Sequence, residues 1–219
     1  MNKVVLSRPV LICFYGFPGS GKSYVARSLQ ESIQLARVSA DRIRHELFSQ
    51  PRYDNQENAV IAHLMNYMSE EFLSSGSSVV YDINAMRLGQ RRSLRELAKR
   101  HRAAYLLVWI QIDVENAFNR TQRRDRRTAD DKFSAEQTKA TFDNVLANMQ
   151  NPKDEDYLVI SGKHSFTTQK NAIIGRLYQM GLIGSSDVQD NVTKPGLVNL
   201  VPNPYAGRVD MSRRNITIT

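Results

Sequence analysis

Eight consecutive residues, Gly16-Phe-Pro-Gly-Ser-Gly-Lys-Ser23, match the pattern G-x-x-x-x-G-K-[ST] throughout. Glycines at 16, 19 and 21 remove the side chains that would keep a backbone from wrapping a phosphate. Successive N–H groups can then converge as an anion nest where a helix begins. Lys22 has the reach for the β- and γ-phosphates of a nucleoside triphosphate, and the Ser23 hydroxyl can ligate Mg²⁺. The segment expected to hold the nucleotide therefore comprises Gly16, Pro18, Gly19, Ser20, Gly21, Lys22, Ser23 and Tyr24. The pattern gains weight from its flanks, an apolar strand before it and an amphipathic helix after it.

Ser39-Ala-Asp41-Arg-Ile-Arg44 follows about twenty residues on, where a second strand gives way to a helix. Asp41 and Arg44 lie three apart and project from one side of the first helical turn. A carboxylate there can position an attacking hydroxyl and take its proton, and an arginine beside it can bind an anionic acceptor. Asp is also a favoured helix N-cap, and the two roles are compatible. Asp82 ends the run Val79-Val-Tyr-Asp82, a placement suited to holding a metal-bound water or orienting Arg44, or simply to a turn with Asn84. Arg120-Thr-Gln-Arg-Arg-Asp-Arg-Arg127 places five arginines in eight residues. In a helix, Arg120, Arg123, Arg124 and Arg127 would share a face, and Arg120 with Arg124 would clamp a triphosphate as a lid closes. A solvated basic helix is the plainer alternative.

The elements that must carry these residues alternate. Apolar stretches within Val10–Tyr15, Ser78–Asp82, Ala103–Ile112 and Asp156–Ser161 predict strands, and a short strand fits Arg37–Ser39. Helical spacing is expected over Ser23–Gln34, Asp41–Phe48, Asn58–Leu73, Leu88–Arg102, from Val114 to about Arg124, around Phe142–Met149, and to about Met180. Buried strands separated by helix-length spacers imply parallel pairing, hence a three-layer α/β fold. Residues 181–219 hold 4 of the 11 glycines and 3 of the 7 prolines, and read as an extended arm or tail after a domain spanning 1–180.

Composition narrows the chemistry. The chain has 219 residues, 41% hydrophobic and 24% charged, enough to bury one core. Its net charge of +8 sits in residues 86–127, with 12 basic against 4 acidic side chains, while the remainder is balanced at 18 and 18. Eleven of those 12 are arginine, which suits a polyanionic ligand such as a nucleotide or nucleic acid, although residues 87–102 also fit a solvated helix face. The single cysteine, Cys13, cannot form an internal disulfide, and no apolar run is long enough to span a bilayer, so a cytoplasmic protein is expected. Histidines 45, 63, 101 and 164 show no metal-ligand spacing. There is no N-K-x-D guanine-reading motif, and the length leaves little room for the accessory parts of a ring motor.

Phosphate loop, Ser-x-Asp-x-x-Arg, strand-ending Asp and Arg-x-x-x-Arg together resemble the P-loop kinases that include polynucleotide 5′-hydroxyl kinases, over about residues 9–180. Small-molecule kinases and zeta-type toxins are similar at greater distance. The resemblance implies a five-stranded sheet in the order 2-3-1-4-5, with Lys22, Asp41, Arg44 and Arg124 as the catalytic set. Asp41 would be the general base, Arg44 the acceptor-phosphate ligand, and Arg120 and Arg124 the lid residues; the residues read by themselves add Asp82 as a further substrate contact and Ser23 with Asp82 as the Mg²⁺ ligands. No D-x-D-x-T phosphatase motif is present. The expected activity is ATP- and Mg²⁺-dependent phosphorylation of a hydroxyl, foremost a nucleic-acid 5′-OH. A small hydroxylated metabolite as acceptor and a nucleotide-gated binding module with slow ATPase activity are the rival readings.

Overall fold

The structure is a computed structural model that describes residues 3–125, 132–134 and 137–184. Arg126, Arg127, most of the Thr128–Lys132 loop and the tail beyond 184 lie outside the described residues. In chain order the elements are β1 (Val10–Tyr15), α1 (Lys22–Ser32), β2 (Leu35–Ser39), α2 (Ala40–Leu47), α3 (Asn55–Ser74) and β3 (Ser78–Asn84). They continue with α4 (Leu88–Arg100), β4 (Ala104–Gln111), α5 (Val114–Gln122), α6 (Lys139–Ala147), β5 (Tyr157–Ser161) and α7 (Phe166–Gln179). The five strands form one parallel sheet in the order β2-β3-β1-β4-β5.

β1 shows why the fold has three layers. Every one of its residues is buried, so both faces of the central strand must be covered. Val10, Ile12 and Phe14 point to one side and pack with Val25, Leu29, Ile173 and Leu177 of α1 and α7. Leu11, Cys13 and Tyr15 point to the other and pack with Ile61, Met65, Leu94 and Leu97 of α3 and α4. The Cys13 thiol donates to the Tyr105 hydroxyl at 3.2 Å, and burial pushes it up to about 12, which leaves it inert as a nucleophile. A small third cluster of Ile112, Ala117 and Phe142 joins the starts of α5 and α6 to Phe17 of the phosphate loop. Among the described residues no helix is long and apolar enough to cross a membrane.

One reading of the basic segment, a solvated face over residues 87–102, needs correction. The face of α4 is not simply solvated, because Arg91 is fully buried and makes a two-pronged ion pair with Glu155, at 2.9 Å from Nε and 2.8 Å from Nη2. Arg95 reaches the same carboxylate at 3.3 Å. At least one of the local positive charges, that of Arg91, is thus committed to the fold. α5 ends at Gln122 with Arg123 as its C-cap, close to the expected end at about Arg124, and Arg120 lies in its last turn.

Candidate active site

β1 sits between β3 and β4, so the chain leaves it first towards β2 and β3 and later towards β4 and β5. The carboxyl ends of strands flanking such a reversal form a crevice, and the loop after β1 opens into it. Gly16 N donates to Asn84 Oδ1 at 3.3 Å, and Ser20 N closes a turn on Phe17 O at 3.0 Å. Gly19 has φ 81°, and a Cβ there would collide with the carbonyl of Ala117 in α5. Only glycine permits both that backbone angle and that approach.

Lys22 folds back over the loop, its Nζ donating to Gly16 O at 2.9 Å, Phe17 O at 2.7 Å and Ser20 Oγ at 3.3 Å. Burial lowers its pKa to about 7, helped by Arg124 and opposed by Asp82 and Asp41. A phosphate beside the ammonium favours the charged form, so nucleotide binding above pH 7 must take up a proton. Triphosphate affinity is accordingly expected to fall by up to about tenfold per unit as pH rises from 7 towards 9. Calorimetry in two buffers of different ionisation enthalpy counts the proton, and an affinity flat over that range would contradict it.

Ser23 donates to Asp82 Oδ1 at 3.0 Å, while Arg37 Nε and Nη2 hold Oδ2 at 2.8 Å and 2.6 Å. A hydroxyl and a carboxylate oxygen side by side make a hard-oxygen donor set that fits Mg²⁺. Asp82 does not orient Arg44. That role falls to Glu57, whose Oε1 accepts from Arg44 Nη1 at 2.6 Å, and to Asn58, whose Oδ1 accepts from Nη2 at 2.7 Å. The Arg44 guanidinium also lies 4.6 Å from the centre of the Tyr53 ring. Burial alone would raise the Glu57 carboxyl, but its hydrogen bonds from Arg44 and from the Arg52 and Tyr53 amides hold it below the usual carboxylate range.

Asp41 is half-buried in the first turn of α2, the helix that leaves β2 at the sheet edge where the phosphate loop lies. Its pKa is raised, first by burial and next by Asp82, against the opposing pull of Arg124, Arg44 and His45. Arg120 Nη1 donates to Gly162 O at 2.8 Å. A single cleft of about 940 Å³ brings together Pro18, Gly19, Ser20, Gly21, Lys22, Ser23, Tyr24, Asp41, Arg44, Asp82, Arg120 and Arg124. Every expected site residue except Gly16 therefore lines one cavity, and Gly16 anchors its loop.

Arg37, Glu57 and Asn58 were not among the expected site residues, and Asn84 was expected only as the turn partner of Asp82. Signals existed for two of them. Arg37 is a lone cation in a short strand of a buried sheet, and Asp54-x-x-Glu57 is a capping-box pattern ahead of an apolar helix. Asp54 does cap α3 through the Glu57 amide. The Glu57 carboxylate, however, accepts from the Arg52 and Tyr53 amides at 2.7 Å and 3.0 Å and turns its other oxygen to Arg44.

Comparison with known proteins places the family and the fold. The model of the AAA_33 family, described as an AAA domain, matches residues 11–152. A sulfate adenylyltransferase of Neurospora crassa is 25% identical over 178 residues, which is 78% of this chain and 30% of that protein. The chain thus spans about a third of the length of that curated relative. Among solved structures, the APS kinase CysC of Mycobacterium tuberculosis in complex with AMPPNP and APS superposes with a TM-score of 0.58 at 19% identity, over 78% of this chain and 98% of that one. A chain of the Pnkp1/Rnl/Hen1 RNA repair complex superposes with a TM-score of 0.54 at 19% identity, over 68% and 45%. These likenesses establish the fold as that of the P-loop kinases.

Proposed function

From the premise that the chain belongs to the AAA_33 family, and carries the P-loop kinase fold, we propose that it is a phosphotransferase moving the γ-phosphate of Mg²⁺–ATP to a hydroxyl acceptor, the 5′-OH of a nucleic acid. The observation that carries this reading is the presence of Lys22, Ser23 and Asp41 in one cleft, so that a phosphate-gripping loop faces a carboxylate of raised pKa. Such a carboxylate accepts a proton more readily than an ordinary one, which suits a general base.

Ser23 and Asp82 would hold Mg²⁺, which when bound neutralises charge between the β- and γ-phosphates. Lys22 would release its loop carbonyls to reach the phosphates, and Arg120 and Arg124 would close on them from the α5 side. For the acceptor, the cleft supplies Lys22, Arg87, Arg120 and Arg124 against Asp41 and Asp82 among the described residues lining it, while Arg44 is committed to Glu57 and Lys163 to Asp113. That surplus of cations favours two anionic ligands side by side, a triphosphate and a polynucleotide end.

Incubation with labelled ATP and a 5′-OH oligonucleotide is expected to label the oligonucleotide, with a 5′-phosphorylated oligonucleotide as the unreactive control. Transfer should weaken steeply with added salt, as polyanion binding does. Label appearing only on small hydroxylated compounds would transfer the assignment to a metabolite kinase. Nucleotide-dependent association without any phosphorylated acceptor would make the chain a binding module.

A further inference from the structure

α4 follows β3 from the edge of the sheet that carries the cleft and runs back along the molecule towards the start of β4. Arg87 and Gln90, at its beginning, stand in the cleft wall. One face of the helix is inside the protein, where Arg91, Leu94, Leu97 and Ala98 are buried. The opposite face is exposed and basic. Arg92, Arg95 and Lys99 fall at i, i+3 and i+7 and form one stripe. Arg92 and Lys99 are exposed, and Arg95 is 39% exposed. The side chains of Arg87, Arg92 and Lys99 make no ion pair among the described residues. Arg95 gives Glu155 a single contact at 3.3 Å and lies 5.2 Å from the centre of the Tyr105 ring, so its guanidinium keeps donors for an outside ligand. Glu96 is the single acid of α4, and Arg100 turns away towards Glu70 of α3 at 3.9 Å.

The make-up of this ridge narrows its partner. A helix that lies on a membrane, or anchors a protein interface, presents apolar or aromatic side chains. Among residues 87–102 no large apolar side chain is exposed. Three of the four free cations are arginine, whose planar fork matches phosphate. Cations in a row without an apolar anchor suit a polyanion held by its backbone charge. Arg87 belongs both to the row and to the cleft, so a chain of phosphates whose end enters the cleft meets the ridge as it leaves.

We propose that Arg87, Arg92, Arg95 and Lys99 form a track for the body of a nucleic-acid strand, each cation against a backbone phosphate, with no reading of the bases. The proposal rests on the reading above that a polynucleotide end enters the cleft. From Arg87 to Lys99 is twelve residues, ~18 Å of helix at ~1.5 Å each, room for about five stacked nucleotides at ~3.4 Å.

The test measures binding and transfer separately. Single-stranded 5′-OH oligonucleotides of two, four, six and ten nucleotides, carrying a 3′ fluorophore, are titrated with the protein and Mg²⁺–ADP and followed by anisotropy. Affinity should rise up to about six nucleotides and then level off, whatever the base sequence. Arg92→Gln/Lys99→Gln, two exposed changes that break no ion pair, should weaken binding of the ten-nucleotide strand by ~3–30-fold. The same variant should flatten the slope of log affinity against log salt by about 1.4, the share of two phosphate contacts. Lys3→Gln/Lys170→Gln, an equal loss of charge away from α4, should leave affinity and slope unchanged. Glu96→Gln should tighten binding by ~2–3-fold. In transfer assays the preference for ten- over two-nucleotide acceptors, carried by KM, should shrink in the α4 variant by the same ~3–30-fold. Affinity independent of strand length, or a salt slope altered equally by the α4 variant and its control, overturns the track; transfer to short acceptors then leaves the kinase standing. Tighter binding of polyglutamate or of phosphatidylserine vesicles than of the ten-nucleotide strand overturns nucleic acid as the occupant. Length-dependent binding that the α4 variant loses, without transfer to any acceptor, upholds the track and overturns the kinase reading alone.

Discussion

Replacing Asp41 by asparagine is expected to slow phosphoryl transfer by ~10²–10⁴ while Mg²⁺–ATP binding stays within about threefold of the original. Asparagine keeps the size of the side chain and its place in the first turn of α2, so the change removes the proton acceptor and little else. Asp41 is not one of the groups that bond the phosphate loop, where Lys22 is held by Gly16, Phe17 and Ser20. The pH profile supplies an independent check. Burial and the neighbouring Asp82 raise the Asp41 pKa, so the deprotonated form is lost on acidification earlier than for an ordinary carboxylate. The acid limb of the rate profile should therefore sit above the usual carboxylate range, and should vanish in Asp41→Asn. Transfer at the original rate in that variant would remove Asp41 from the mechanism and with it the proposed direction of attack.

The part of this site that was legible in the sequence is the part in which local chain pattern and function coincide. A phosphate loop needs its glycines, lysine and serine in one contiguous run between a strand and a helix, so Gly16 to Ser23 announces itself. The strand β1 reads clearly because a central parallel strand must be apolar on both faces, and the helices around it because their apolar residues recur with helical period. What stayed hidden depends on partners far apart in the chain. Arg91 lies in a segment where eleven of twelve basic residues are arginine, and nothing in that composition reveals that Glu155, 64 positions away, meets it in the interior. Arg44 shows a three-residue spacing from Asp41, yet its orientation comes from Glu57 and Asn58 across the α2–α3 turn.

Glu155→Gln is expected to destabilise the fold by about 3–5 kcal/mol, because it leaves the Arg91 guanidinium buried without its countercharge. Arg91 and Glu155 are 0% and 3% exposed, so water cannot replace the lost partner. Arg95, 39% exposed, can turn to solvent and contributes little to the loss. Denaturant unfolding of Glu155→Leu, of Arg91→Met, and of Arg91→Met/Glu155→Leu forms a cycle that isolates the pair. The double variant should recover most of the stability, since well-packed apolar groups replace a buried ion pair at little net cost. A loss under about 1 kcal/mol in Glu155→Gln would show that the pair is solvated. The consequence reaches the nucleotide site through the backbone. Arg91 Nη1 donates to Ala85 O at 3.0 Å, Ala85 N donates to Phe14 O at 2.8 Å, and the adjacent Asn84 accepts from Gly16 N at 3.3 Å. Loosening Arg91 therefore loosens the segment that braces the start of the phosphate loop. Glu155→Gln should weaken triphosphate binding under conditions where the protein is still folded, while Arg91→Met/Glu155→Leu, lacking the bond to Ala85, should regain stability without fully regaining that affinity.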